Sequence, residues 1–324
     1  MLSNLNKKFN SIRKNYPAYV RRYLWPLPKF RREIVVMIDG KLPHGGLTDR
    51  FRNILSVYSY CKKNDIPFKL FYDYPCDLTA YLLPNQYDWR IKASELSSHF
   101  LDTKEIVLYV IPYNLSDEDF KKRNNEAHIK LLNEELGKKR KVQYHLYGNS
   151  FFAEGQYSEL FKELFKPSSY LEQRINQWLN CISEPYEAVT LRFQQLLGDF
   201  EEGNFVVLPV DERNELIQKC LSKIKELYVV SYFSTQKILV TSDSPSFLAE
   251  VSKLPFVYVI PGKMEHMDFT HNSDVEMNAK SFVDLFLLMK AKKITLLRTG
   301  KMYKSGFPGF AAELGGIGYN EIYF

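Results

Sequence analysis

Apolar and polar positions alternate along the chain in two rhythms. Short apolar runs at 33–40 (EIVVMIDG), 67–74 (PFKLFYDY), 104–111 (KEIVLYVI) and 142–148 (VQYHLYG) have the length and branched content of buried strands. Between them, 47–64, 77–83 and 117–139 repeat apolar residues at helical spacing, the last opening on Ser116 as N-cap with acids in its first turn. Residues 157–183 read as largely helical, broken at Pro167, and SEPYE (183–187) forms a Pro-containing junction. The second half repeats the alternation. Strands are predicted at 188–193, 237–243, 256–261, 294–299 and in the final NEIYF, and helices at 211–227, 244–254, 275–293 and 305–315.

Alternation of this kind implies βαβ units and a mainly parallel sheet. The predicted fold class is α/β: two Rossmann-like domains facing each other across a central cleft. The expected borders are an N-terminal arm at 1–32, a first domain at 33–185 and a second at 186–324. In open α/β sheets ligands bind beyond the C-terminal ends of the strands, so strand-to-helix turns are where chemistry is expected.

The 324 residues suit two domains, and the hydrophobic and charged shares are those of a globular protein. The aromatic share of 15% is high. It fits stacking clefts or carbohydrate contacts, or a merely Tyr-rich composition. Cys61, Cys76, Cys181 and Cys220 lack CxxC spacing, which predicts neither a zinc site nor a disulfide framework and favours a reducing cytoplasm. No apolar segment opens the chain as a signal peptide would, and no apolar run is long enough for a membrane span. Charge changes the picture more. Residues 1–32 contain nine Lys or Arg and no acid, so a chain of net +6 keeps only −3 beyond them. The body is not a nucleic-acid surface by charge. The leader interleaves its cations with Phe9, Tyr16, Tyr19, Tyr23 and Trp25, a pattern that suits an anionic membrane face or an arm packed on the body.

Four turns carry candidate chemistry. HGGLTDR places His44, Gly45, Gly46 and Arg50 where a strand gives way to a helix. Glycines there permit close backbone approach, the helix start offers N–H groups to a phosphate, and Arg50 adds charge. A plain helix-capping turn has the same spacing. Arg192 sits inside an apolar strand pattern, either paired structurally or aimed at an anion, and Asp199 and Glu201 follow in an acidic loop. A carboxylate there suits deprotonation of an acceptor hydroxyl, or a simple turn. Ser242 and Asp243 end another strand, where an acid accepts from a base or ribose or serves as a cap. Ser305, Gly306 and Phe307 precede a small-residue helix start. No HExxH or DxD motif is present, and His266 and His271 form no metal set.

Taken in order, GGLTDRFRNI, VTLRFQQLLGDF, LVTSDSPSF and FVDLFLLMKAKKITLLRTGKMYKSGFPGFAAELGG resemble the GDP-fucose-dependent fucosyltransferases of GT-B type, as a bacterial member would. That superfamily includes α1,2-, α1,6- and protein O-fucosyltransferases. Thr190 and Phe193 stand where its first motif often has His and a second Arg. The resemblance implies an inverting, metal-independent transferase without cofactor, using a GDP-sugar as substrate. Arg192 would hold the β-phosphate and Asp243 the guanosine. Ser305, Gly306 and Phe307 would meet phosphate or fucose, and Gly45, Gly46 and Arg50 would complete the phosphate side. Asp199, then Glu201, are the expected general bases. The expected partners are a nucleotide-sugar donor, a surface glycan or glycolipid acceptor of polysaccharide biosynthesis, and an anionic membrane surface through residues 1–32. No nucleic acid is expected. The expected location is the cytoplasm, at the inner face of the plasma membrane. A transferase for another nucleotide sugar and a non-catalytic binding scaffold are the alternatives.

Overall fold

The computed structural model describes residues 27–108, 117–182, 185–200, 205–230, 232–235, 237–262, 267–268 and 274–324. The leader through residue 26, Ser116, Glu201, His266 and His271 lie outside the described residues. In chain order the elements are β1 (Glu33–Ile38), α1 (Leu47–Lys63), β2 (Phe68–Tyr72), β3 (Leu82–Pro84), β4 (Thr103–Leu108), α2 (Asp117–Leu136), β5 (Gln143–Gly148), α3 (Tyr157–Leu164), β6 (Phe165–Pro167) and α4 (Ser169–Ile182). They continue with β7 (Glu187–Leu191), α5 (Val210–Val229), β8 (Ile238–Ser242), α6 (Pro245–Val251), β9 (Val257–Val259), α7 (Val275–Lys290), β10 (Lys293–Arg298), α8 (Phe307–Gly315) and β11 (Gly318–Tyr323).

The periodic segments fold as their patterns predict, with two differences. The helix expected at 77–83 is a single 3-10 turn, Leu78–Ala80, capped by the Asp77 carboxylate on the Thr79 N–H at 2.8 Å. The chain then straightens into β3, which pairs antiparallel with β6. That pairing also explains why helix 157–183 is split. Phe165–Pro167 is drawn into an extended ladder with Leu82–Pro84, and Pro167 cannot supply a helical N–H. A three-residue ladder joining distant segments carries no periodic signal in the sequence.

Two compact units result. The first comprises residues through Leu42, Arg52–Tyr72 and Asp88–Phe152. The second comprises Pro43–Phe51, Asp73–Tyr87 and Ala153–Phe324. The second unit therefore takes in segments that precede residue 186 in the chain. Aromatic packing accounts for this. Phe51 meets Phe161 and Phe165 at centroid distances of 5.4 and 5.5 Å and stacks on Phe310. Tyr81 stacks on Phe282 at 4.2 Å.

In the first unit a parallel sheet has the order β2-β1-β5-β4. Its strand β1 (EIVVMI) is buried along its whole length, as expected of a parallel strand covered on both faces. Of the N-terminal arm, the described end packs here. Lys29 Nζ donates to Ser94 O at 2.8 Å and Arg32 to Leu136 O at 3.2 Å. In the five-stranded sheet of the second unit every pairing is parallel, in the order β11-β10-β7-β8-β9 with β7 in the middle. One face of this sheet buries Val189, Leu191 and Val240 against Ile217, Cys220, Leu221 and Ile224 of α5. Helix α8 packs against α7 closely enough that a side chain at Gly315 would meet the Met289 carbonyl at 2.4 Å.

One buried polar network in the first unit makes stability depend on pH. His145 Nε2 lies 2.7 Å from Gln143 Oε1, which also accepts the Ser97 N–H, while Gln143 Nε2 donates to Glu33. Burial, reinforced by the nearby Lys41 charge, lowers the His145 pKa from 6.5 to about 4. The folded state therefore favours the neutral ring. Its stability contribution is complete above pH 6.5 and is lost as pH falls towards 4, by at most about 3 kcal/mol. Thermal melts across pH 7 to 4 are expected to show this loss in the wild type and a shallower one in His145→Gln.

Candidate active site

The glycine turn forms around a carboxylate that the sequence reading missed. Gly45 adopts φ +75°, and a side chain there would meet Asp49 at 2.9 Å, so glycine is required. The Asp268 carboxylate accepts the His44 N–H at 3.0 Å, the Gly45 N–H at 2.6 Å and Arg50 Nη2 at 2.8 Å. The Arg50 side chain is fully buried. Its Nε donates to Gly45 O at 3.0 Å and its Nη1 to Tyr74 O at 2.5 Å. Arg50 is thus a brace inside the second unit, where the sequence reading had it facing a phosphate. Gly46 opens the first helical turn, its carbonyl accepting the Arg50 N–H at 3.1 Å.

A second carboxylate organises the turn after β7. Asp243, buried at the end of β8, accepts the Phe193 N–H at 2.9 Å and the Gln194 N–H at 2.7 Å, and pairs with Arg192 Nε at 3.2 Å. Two successive N–H groups reach one carboxylate because Gln194 takes φ +54°, a conformation costing about 1 kcal/mol. Burial pushes the Asp243 carboxyl above its ordinary range, and Arg192 and the two amides pull against that. The Arg192 guanidinium lies over the Phe200 ring, 4.6 Å from its centroid, and the side chain keeps 15% of its exposure. Its place is therefore fixed by a carboxylate at one edge and a ring beneath. Phe193 is buried in the core beside Phe247, which explains an apolar residue at that position. Ser242 is buried, its hydroxyl 3.3 Å from Asp243 Oδ1 and accepting the Ser244 N–H.

Asp199 sits at the start of α6. Its Oδ2 accepts the Ser244 hydroxyl at 2.7 Å, the Ser246 N–H at 2.9 Å and the Ser246 hydroxyl at 2.6 Å. Ser244 itself caps the helix through the Phe247 N–H, with Pro245 following, as its sequence predicts. Asp199 Oδ1 is buried without a hydrogen-bond partner among the described residues.

Ser305, Gly306 and Phe307 form the accessible start of α8, with the Ser305 hydroxyl accepting the Phe307 N–H at 3.3 Å. The Tyr303 N–H donates to the Arg192 carbonyl at 3.3 Å and holds this segment to the β7 turn. Beyond the end of β9 lies a cavity of about 380 Å³ lined by Arg174, Trp178, Ile260, Gly262, Met277 and Lys280 among others. That volume is in the range of ligand pockets. Lys280 is buried and paired with Asp284 at 2.8 Å, one helical turn on. Among the described residues no group of three or more His, Cys, Asp or Glu side chains is placed to hold a metal ion. No described helix is long and apolar enough to cross a membrane.

No protein-family model and no curated protein matches the chain by sequence. Solved structures do match by shape. The NodZ α-1,6-fucosyltransferase soaked with GDP-fucose superposes with a TM-score of 0.57 at 16% identity, covering 88% of this chain and 93% of that one. The fucosyltransferase NodZ from Bradyrhizobium gives 0.54 at 15% identity, covering 87% and 92%. A mutant of Arabidopsis thaliana FUT1 in complex with GDP gives 0.52 at 12% identity, covering 97% and 75%. The chain has the fold of these enzymes, as the motif order implies.

The cap at α6 has a measurable consequence. Asp199→Ala is expected to cost about 1–2 kcal/mol, read as a lowered midpoint in urea denaturation, because several donors at one helix start lose their acceptor. Asp199→Asn separates the cap from a base role. Wild-type turnover in that variant leaves Asp199 as a cap alone.

Proposed function

We propose that this protein is an inverting glycosyltransferase that moves fucose from GDP-fucose to a hydroxyl of a surface glycan or lipid-linked oligosaccharide. The observation that carries the reading is the fixed guanidinium of Arg192 at the C-terminal end of the central strand β7, tied to the exposed start of α8. Cation and helix-start N–H groups together suit an anionic leaving group. The solved enzymes of like fold were crystallised with GDP or GDP-fucose, which supports the donor.

In this reading the acceptor oxygen forms a bond to the anomeric carbon as the bond to the β-phosphate oxygen breaks, and GDP departs with the electron pair. Arg192, Ser305 and the N–H groups of Gly306 and Phe307 stabilise the growing charge on the diphosphate. Such preorganised donors act without reorganising at the moment of reaction. Asp243 holds Arg192 in place, a role that differs from a guanosine contact. The nucleoside end is assigned to the cavity by β9. Only β8 lies between β9 and β7, so two inter-strand spacings, about 10 Å, separate them, and Trp178 offers a stacking face. For the base, Asp199 offers Oδ1, and Glu201 is the second candidate.

Donor hydrolysis measured across GDP-fucose and other GDP-, UDP- and CDP-sugars tests this reading directly. GDP-fucose should be hydrolysed fastest, with EDTA making no difference. Arg192→Ala should lower the rate by roughly two to three decades. Preference for a uridine or cytidine donor would overturn the donor assignment, and GDP binding without turnover would favour a scaffold.

The cytoplasmic, membrane-peripheral location is proposed from the leader, whose aromatic and basic residues before 27 suit an anionic bilayer face. The full chain is expected to sediment with phosphatidylserine-containing vesicles, whereas a chain starting at Leu27 stays in solution. Equal partitioning would defeat this.

A further inference from the structure

The four strands of the first unit's parallel sheet start nearly level. Glu33 is in register with Gln143, Gln143 with Thr103, and Ile34 with Phe68. The segments that lead into them therefore meet at one end of the sheet, across three strand spacings or about 14 Å. In sheet order these segments are 62–67, 27–32, 137–142 and 99–102. Three of them supply cations: Lys62 and Lys63 in the first, Lys29, Arg31 and Arg32 in the second, and the run KKRK (138–141) in the third. Against these nine Lys or Arg the four segments hold only Asp65 and Asp102. Beyond residue 32 the chain nets −3, so positive charge is gathered at this end. The fourth segment is apolar at its tip, with Phe100 and Leu101 about half exposed. The buried Asp102 ties it to the second, accepting the N–H groups of Lys29 and Phe30 and the Ser97 hydroxyl. Phe30 takes φ +48°, a left-handed conformation that costs about 1–2 kcal/mol, yet its side chain stays 50% exposed. That strain serves no burial of the ring in the core.

We propose that this end of the first unit docks on an anionic lipid bilayer, with the cations of three segments among the headgroups and Phe30, Phe100 and Leu101 entering the interface. This rests on the membrane location read from the leader and adds a folded surface to it. The residues before Leu27, with six further Lys or Arg, lead into the same end of the sheet. Helix ends account for part of the charge. Lys62 and Lys63 close α1 and complement its dipole, and Lys138 pairs with Glu135 at 2.7 Å. Lys139, Arg140 and Lys141 lie past the end of α2 and are exposed, beyond the last turn where the dipole acts. The sheet end is little wider than the Debye length of about 10 Å, so its cations act on one surface together and lose force in salt. An anionic bilayer attracts such cations without a shaped pocket for any one headgroup. Leu27, 82% exposed, and Leu101 have no use on a soluble polyanion, whereas the bilayer interface favours both the charge and the apolar tip. Docked this way, the sheet turns the C-terminal ends of its strands, where α/β sheets bind ligands, away from the lipid.

The test is sedimentation with vesicles of equal parts phosphatidylcholine and phosphatidylserine. The full chain is compared with the full chain carrying Lys139→Gln, Arg140→Gln and Lys141→Gln, and with the chain that starts at Leu27. The triple variant is expected to partition roughly thirty- to a hundredfold more weakly at low salt, with a shallower dependence on NaCl and an unchanged melting temperature. In the full chain, Phe100→Ser with Leu101→Ser is expected to weaken partitioning several-fold without changing the salt dependence. Should the triple variant melt early, Lys62→Gln with Lys63→Gln removes charge from a different segment and is expected to cost roughly tenfold. Wild-type partitioning of well-folded charge variants overturns the proposal. Release by the charge substitutions but not by loss of the leader upholds this surface and defeats the leader's role; the reverse pattern upholds the leader and overturns the surface. Weakened retention on heparin with vesicle binding unchanged also overturns it and marks a surface for soluble polyanions.

Discussion

A guanidinium withdrawn from water must find an anion, and the second unit is arranged around that requirement. Leaving a buried charge unpaired costs several kcal/mol, far more than a turn or a cap contributes. Arg50 is closed in by Asp268 and two carbonyls, and Arg192 is held by Asp243 over a phenylalanine ring. In both cases the same aspartate also collects two consecutive backbone N–H groups, His44 with Gly45 and Phe193 with Gln194. Each seat has the donor set of an anion site, and each is filled by the protein's own carboxylate. Pairing thus sorts the arginines. Arg50 is enclosed and acts on the backbone, whereas Arg192 retains exposure and a fixed direction.

The topology explains why these seats lie where they do. Parallel strands deliver every strand-to-helix turn to one edge of the sheet. Arg192 follows β7, Asp243 follows β8, the cavity follows β9, and the start of α8 follows β10. Each turn needs donors for its helix start and acceptors for its strand end. The Ser and Asp residues that satisfy those needs are the residue types that also bind phosphate and sugar. Asp199 shows the ambiguity. Its chemistry suits a base, yet one of its oxygens is taken by Ser244 and Ser246 at the start of α6.

Aromatic packing supplies the rigidity that these polar seats lack by themselves. Phe51 and Tyr81, from segments that precede the second unit's sheet by more than a hundred residues, pack with Phe161, Phe165, Phe282 and Phe310. A buried aromatic contact is worth more than an exposed polar one, so these rings decide which unit the glycine turn joins. The high aromatic content of the chain finds part of its use here, in addition to any stacking in the cavity.

Much of the architecture was legible in the sequence. Strand and helix periods, the Ser244–Pro245 start of α6 and the strand-end positions of Arg192 and Asp243 all follow from local spacing, because backbone hydrogen bonding and one-sided burial act on near neighbours. What tertiary structure alone decided is partnership. Nothing in the sequence near HGGLTDR points to Asp268, more than two hundred residues away in a stretch of sequence notable only for its histidines. Nothing in the short run LLP announces that it pairs with FKP. The roles of Arg50 and Asp243 turned on such distant partners. A residue type shows what chemistry a position is capable of, but burial and the opposite charge determine what it does. Both are set by segments that meet only when the chain is folded.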